Sequence, residues 1–173
     1  MSIATVVLCP PLPSALAAYD ASETADVLLD DPRLDGVRVL APDLPDAEPD
    51  DDQRTRHAHW VGHLAIALAT SGASAPVLLV LGGSSGALAP ALGFAQKAAR
   101  RAVAGYVLVD AATPPTESRG GDWPDAPVWF VASPAADPLE TNQARLRGWS
   151  VLEVAHATPP HLGATLATLL GYT

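Results

Sequence analysis

A serine lies among glycines in the sequence G-G-S-S-G, residues 82–86, directly after the apolar run V-L-L-V-L, residues 77–81. A buried strand that ends in the pattern G-x-S-x-G can turn sharply into a helix and expose the central side chain, here Ser84. Small neighbours let the strand and the helix approach without a clash. A helix beginning at Ser85 would also direct free amides at the group that Ser84 attacks. The pattern indicates a nucleophilic serine at the apex of a strained turn; a flexible Gly/Ser loop is the alternative.

The elements that must position this serine follow from the apolar pattern. Short apolar runs predict strands at residues 5–9, 37–40, 77–81, 105–109, 128–132 and 151–154. The segments between them predict helices at residues 15–30, 54–71, 85–101, 138–147 and 160–170, with a kink or a tight first turn at Pro90. This alternation predicts an α/β fold, a three-layer α/β/α sandwich with a mostly parallel sheet of about six strands. Residues 113–127, rich in Pro, Gly and Asp, predict a loop.

The ligand crevice of an open parallel sheet lies at the carboxyl ends of its strands. Ser84 ends a predicted central strand, so it has neighbours from five other predicted loops at that edge. Most of the chemically interesting side chains of the chain lie in these loops. This placement favours the nucleophile interpretation over the flexible loop.

Composition restricts the partners. The 173 residues predict one domain, residues 1–173, and the net charge of −9 argues against a nucleic-acid partner, which requires clustered Lys and Arg. The acidic run at residues 46–52 is interpreted as a solvated loop. We expect a small-molecule substrate, and the low charged fraction is compatible with a homodimer.

The location and redox environment are predicted from absences in the sequence. Cys9 is the single cysteine, so the chain forms no intrachain disulfide. No apolar stretch is long enough to span a membrane, and Met1-Ser2-Ile3 lacks the charged start of a secretory signal. The default prediction is a cytoplasmic protein with no membrane contact.

Three segments resemble the α/β-hydrolase superfamily. Residues 37–45, V-R-V-L-A-P-D-L-P, are similar to the strand and turn that precede the nucleophile region in many members. Residues 79–86 resemble the nucleophile strand and elbow, and residues 103–110, V-A-G-Y-V-L-V-D, resemble the next strand. The last third is similar to small actinobacterial-type hydrolases that lack a lid. The resemblance covers nearly the whole chain and implies a minimal α/β-hydrolase fold without a cap domain.

The resemblance also implies an oxyanion hole made of two backbone amides. One belongs to Ser85, after the nucleophile, and the other lies in the loop after the first strand. Family members often have His-Gly there, whereas this chain has Pro10-Pro11. Proline has no N–H, so Leu12 is the expected second donor.

A catalytic serine needs a base and a carboxylate that orients it, and this superfamily has them in the order Ser, Asp or Glu, His. Asp137 matches the acid position, and Asp110 is the alternative. Either carboxylate would also serve as a turn residue or helix cap, and Asp137 before Pro138 fits a cap well.

The sequence leaves several candidates for the catalytic base. The family histidine aligns at or near Thr158, which cannot act as a general base at neutral pH. His156 lies just after the last predicted strand. It would take the position of the family histidine if the alignment of this loop were shifted by two residues. His161, at the start of the last helix, is the less favoured choice, and a site without a histidine base is the remaining alternative.

Two other sets of residues could carry chemistry. His59 and His63 lie four residues apart and would share a helix face, a spacing that can bind zinc, but no third ligand accompanies them. We interpret them as a solvated or half-buried helix face and predict no metal and no cofactor. Cys9 ends a strand without an evident base, so we interpret it as a buried core residue.

Three functions remain open. The leading prediction is a small serine hydrolase that acts on an ester, thioester or lactone through a Ser84 acyl-enzyme, with His156 as base and Asp137 as orienting acid. The second is a hydrolase-fold protein with non-hydrolytic activity, such as a cyclase, lyase or isomerase of specialised metabolism. The third is a catalytically inactive ligand-binding homologue.

Overall fold

A computed structural model of the chain describes residues 3–12, 18–45, 50–115 and 123–171. The strands are β1 (Thr5–Leu8), β2 (Arg38–Leu40), β3 (Val77–Gly82), β4 (Val103–Val109), β5 (Val128–Ala132) and β6 (Ser150–Glu153). The helices are α1 (Ala21–Leu29), α2 (Gln53–Thr70), α3 (Ala89–Ala98), α4 (Pro138–Leu146) and α5 (Pro159–Gly171). Two 3-10 helices cover Pro32–Leu34 and Gly83–Leu88.

The six strands form one sheet in the order β2-β1-β3-β4-β5-β6, and every neighbouring pair is parallel. The register aligns the strand ends: Gly82 is paired with Val109, and Val109 is paired with Val131. The carboxyl ends of the central strands therefore meet at one edge. The predicted α/β architecture is confirmed.

Both faces of the sheet are covered, which explains why its central strands are apolar throughout. Successive side chains of a strand point to opposite faces, so Leu79 and Leu78 of β3 enter different cores. The first core includes Trp60 and Leu64 of α2 and Leu92 of α3. The second includes Leu28 of α1 and the α5 residues Leu162 and Leu166. The resulting three layers leave the strand ends as the open edge.

The predicted strands match the observed ones to within a residue or two, whereas two helices differ. The predicted helix at residues 85–101 is a 3-10 helix over Gly83–Leu88 followed by α3, with Pro90 in the first turn of α3. Proline is tolerated there because the first amides of a helix have no intrahelical partner. The tight first turn expected at Pro90 is thus confirmed.

The predicted helix at residues 15–30 starts later. Helix α1 begins at Ala21, where the Asp20 side chain accepts a hydrogen bond of 2.8 Å from the Glu23 amide. This cap satisfies one free amide of the first turn and sets the helix start. Residues 15–17 of the prediction lie outside the described residues.

Across the described segments, no helix combines the length and the apolar character that crossing a bilayer demands.

Candidate functional site

The turn after β3 has its left-handed residue at Gly83. The φ angle of Gly83 is 55°, and the described non-glycine residues with positive φ are Arg100 and Asp110, so Ser84 does not adopt this conformation. Glycine takes a positive φ without the steric cost that a Cβ imposes. The prediction that Ser84 occupies the strained apex is therefore wrong by one residue.

Two other glycines let the turn pack closely against its neighbours. A Cβ on Gly82 would lie 2.8 Å from Cε1 of Tyr19. A Cβ on Gly86 would lie 2.5 Å from the Ala112 carbonyl oxygen and 2.7 Å from the Ala111 Cβ. Real Cβ atoms do not approach so closely, so both positions require glycine in this backbone. The two glycines thus allow close packing against the loop after β1 and the end of β4, whereas the prediction named the contact between the strand and its own helix.

Hydrogen bonds fix the same turn from inside. Ser85 is fully buried, and its hydroxyl donates to the Gly82 carbonyl oxygen at 2.8 Å and accepts from the Gly82 amide at 3.2 Å. The Ala112 amide donates to the Gly83 carbonyl oxygen at 2.9 Å and joins the turn to the end of β4. The Ser85 side chain is therefore a structural part of the turn.

Ser84 differs from Ser85 in both burial and hydrogen bonding. Its side chain is exposed at the carboxyl edge of β3. Within the described portion of the chain, no hydrogen bond engages its hydroxyl. The hydroxyl is therefore free to meet a ligand, and no described base is placed to accept its proton.

Tyr19 supports the turn from the loop after β1, and the sequence carried no signal for it because the residue fell within a predicted helix. Its buried hydroxyl lies 2.9 Å from the carbonyl oxygens of both Cys9 and Val80. Burial raises its pKa well above the ordinary value, with the neighbouring Cys9 as a smaller cause. Tyr19 therefore stays neutral and holds β1 beside the turn.

Cys9 directly follows β1 and precedes the predicted oxyanion loop. Burial raises the pKa of the Cys9 thiol far above its ordinary value, so the thiolate nucleophile is unavailable. Leu12, the predicted second oxyanion donor, has a buried side chain after the half-buried Pro10 and the exposed Pro11. Its amide remains a predicted donor, as does that of Ser85.

Asp137 is the N-cap of α4. Its Oδ1 accepts a hydrogen bond of 2.8 Å from the Leu139 amide, and Pro138 occupies the first turn of the helix. Among the described residues, no histidine contacts its carboxylate through a hydrogen bond. The structure thus assigns Asp137 a capping role, and its catalytic role stays a prediction.

Asp110, the alternative acid, lies at the end of β4 with a positive φ of 43°. Its Oδ1 accepts from the Ser133 amide at 2.7 Å, and its Oδ2 accepts from the Ser133 hydroxyl at 2.5 Å. The Ala135 amide donates to that same hydroxyl at 3.1 Å. Aspartate tolerates the left-handed region better than most residues. Asp110 therefore fixes the start of the loop that leads to Asp137.

The two candidate bases lie together after β6, the last strand in the sheet order. The rings of His156 and His161 are 5.6 Å apart in an edge-on arrangement, and the Thr158 hydroxyl lies 2.8 Å from Nδ1 of His161. All three residues are exposed. In the segments that the structure describes, neither imidazole is hydrogen-bonded to Ser84, Asp110 or Asp137. The structure groups the candidate bases but does not join them to the serine.

The histidines of α2 form a separate group. His59 and His63 have ring centroids 6.0 Å apart, and Nδ1 of His59 lies 3.1 Å from Oδ2 of Asp51. Over the described ranges, no group of three or more His, Cys, Asp or Glu side chains could hold a metal ion.

Solved structures superpose on nearly the whole chain. The pyrethroid hydrolase PytH matches with a TM-score of 0.60 at 14% identity, over 99% of this chain and 97% of that chain. The chain has the α/β-hydrolase fold. Methylketone synthase I from tomato matches with a TM-score of 0.61 at 12% identity, over 99% of both chains.

A further neighbour is an extracellular α/β-hydrolase from a Paenibacillus species. It matches with a TM-score of 0.63 at 13% identity, over 95% of this chain and 98% of that chain. No family model matches the sequence, and no curated protein does. Two of these three neighbours are named as hydrolases, but one fold can carry several chemistries, so the likeness shows the fold alone.

Proposed function

We propose that the protein is a small hydrolase that cleaves an ester, thioester or lactone through an acyl-enzyme on Ser84. The observation that carries the proposal is the exposed, unengaged Ser84 hydroxyl at the carboxyl edge of β3. Ser84 follows β3, Asp137 follows β5 and His156 follows β6, so the residue types of a catalytic triad lie after three parallel strands in the chain order Ser, Asp, His.

In the proposed reaction, Ser84 Oγ attacks the substrate carbonyl and His156 accepts the serine proton. Asp137 would orient the imidazole, and the amides of Ser85 and Leu12 would stabilise the oxyanion. The acyl-enzyme forms as the alcohol or thiol leaves, with the proton returned by His156. Water then releases the acid. Because Ser84, Asp137 and His156 are not hydrogen-bonded to one another, the proposed reaction requires the loop after β6 to approach the turn when substrate binds.

The position of Gly83 favours a second candidate function, a hydrolase-fold protein that works without an acyl-enzyme. In the elbow of this fold, the strained apex residue carries the nucleophile. Here the residue with φ of 55° is Gly83, which has no side chain. A lyase, cyclase or isomerase needs polar groups at this edge but no covalent serine.

One labelling experiment separates the two functions. We expect a fluorophosphonate probe to modify folded wild-type protein at Ser84, as located by peptide mass spectrometry, and to leave the Ser84→Ala variant unmodified. Unlabelled wild type together with labelling of folded Gly83→Ser at the substituted position would support the second function. Circular dichroism of each variant before labelling establishes that it is folded.

A further inference from the structure

A cleft opens at the carboxyl edge of the sheet between β5, β6 and α4. Its volume is about 380 Å³, within the range of roughly 300–1,000 Å³ typical of small-molecule sites. Ser133 at the end of β5 and Val154 at the end of β6 line it. The cleft therefore lies where ligands bind in open parallel sheets, beside the loops that lead to Asp137 and His156.

The lining of the cleft combines apolar and polar side chains. Pro134, Ala136, Pro138 and Val154 are apolar. Asn142, Arg145 and Glu153 form a polar cluster, in which Arg145 donates through Nη2 to Glu153 Oε1 at 2.6 Å and through Nη1 to Asn142 Oδ1 at 3.3 Å. A ligand that complements this lining has a short aliphatic part and one charged group.

Arg145 determines that the charged group of the ligand is an anion. A guanidinium binds carboxylates through charge-assisted hydrogen bonds, and the Glu153 carboxylate occupies this position in the free protein. The side chains of Arg145 and Glu153 are 48% and 74% exposed. An exposed ion pair contributes little to stability, so a ligand carboxylate can replace Glu153 at small cost.

We propose that this cleft binds the free carboxylate of a small aliphatic substrate, with Arg145 as the anchoring residue. The proposal rests on the proposed function in one respect: it narrows the substrate to an ester, thioester or lactone whose remote end is a carboxylate. Glu153 is then a competing internal anion that turns to solvent when the substrate enters.

Binding is tested first, without any ester. Butyrate and its neutral isostere butyramide are titrated into the full chain and followed by NMR chemical shifts at constant ionic strength. Butyrate should bind wild type more tightly than butyramide does, Arg145→Gln should weaken butyrate by about fivefold or more, and Glu153→Gln should strengthen it by about twofold or more. Lys97→Gln, which removes one positive charge from an exposed site on α3, is the matched control and should leave the affinity unchanged.

Kinetics then test the connection with hydrolysis. For the p-nitrophenyl half-ester of glutaric acid, Arg145→Gln should raise KM by about fivefold at unchanged kcat, whereas p-nitrophenyl valerate should show no change. Equal butyrate affinity in wild type and Arg145→Gln, or weaker binding in Glu153→Gln, would overturn the proposed site. Butyrate binding that follows the expected order while neither ester is cleaved would refute the proposed function and leave the site standing.

Discussion

The turn after β3 and the loop after β6 lie at the same edge of the sheet but are held very differently. At the turn, Ser85 is buried, and Gly82 and Gly86 have no room for a side chain. In the loop, His156 and Thr158 are exposed, and their described contacts are few. The backbone that presents the serine is fixed by packing, whereas the imidazole that would activate it is not.

This contrast separates the part of the site that packing and hydrogen bonds fix from the part that they leave free. Burial and hydrogen bonding specify the turn before any ligand arrives, as preorganised catalysis requires. The position of the base depends on a solvent-exposed loop, and such loops are drawn from the less stable parts of a fold. The fold therefore determines the backbone around Ser84, and in the proposed mechanism substrate binding brings the base to it.

The largest expected effect is on activity, at the loop. His156→Ala should lower kcat for ester hydrolysis by about 10²–10⁴-fold because it removes the proposed general base. Its free energy of unfolding should change by less than about 0.5 kcal/mol, since the side chain is exposed. His161→Ala is the control, and a larger kcat loss in that variant would transfer the role of base to His161. The measurements are steady-state kinetics and urea unfolding.

The next effect is on stability, at the turn. Gly86→Ala should lower the free energy of unfolding by about 1–3 kcal/mol because its Cβ meets the Ala112 backbone. Gly62→Ala is the matched control: Gly62 lies within α2 with no atom near its added Cβ, so the change should stabilise by up to about 1 kcal/mol. Chemical denaturation measures both. Equal effects at the two glycines would show that packing does not fix the turn.

The adjacent residues Ser84 and Ser85 allow a comparison of stability effects within the turn itself. Ser85→Ala should cost about 1–2 kcal/mol of stability because it removes the hydroxyl that bonds both backbone groups of Gly82. Ser84→Ala should leave thermal unfolding nearly unchanged and abolish fluorophosphonate labelling. A stability loss at Ser84 that matched the loss at Ser85 would contradict the different environments of the two hydroxyls.

The smallest effect lies outside both regions and supplies a baseline for acid titration. Hydrogen bonds from the Arg33 side chain and amide lower the pKa of Asp31 from 3.8 to about 2. Because the folded pKa is below the unfolded one, this carboxylate stabilises the fold above about pH 4, and the contribution disappears as the pH falls toward 2. The urea midpoint of wild type should therefore decline slightly more across this window than that of Asp31→Asn. Identical pH profiles would contradict the pairing.

The order of strands and helices was largely predictable from the sequence. Buried parallel strands need continuous apolar runs, so the runs at Val77 and Val128 identified β3 and β5 without knowledge of their partners. The helix starts were less predictable, because Asp20 and Ala21 define the beginning of α1 through a local cap inside a longer Ala-rich segment. Such local competition shifts element ends more than it changes their type.

The candidate site likewise has features that the sequence predicted and features that it did not. The sequence by itself determined an α/β fold with a serine, carboxylates and histidines at the strand ends, because local patterns specify each element. The cap at Asp137 also followed from the local sequence, whereas only the tertiary structure decided that Gly83 is the apex and that Asp110 holds Ser133. Gly83 is hydrogen-bonded to Ala112 and Asp110 to Ser133, so these contacts join separate strand ends, and their geometry depends on strand order and on packing across the sheet. A linear pattern of residues specifies neither the order of the strands in the sheet nor the packing across it.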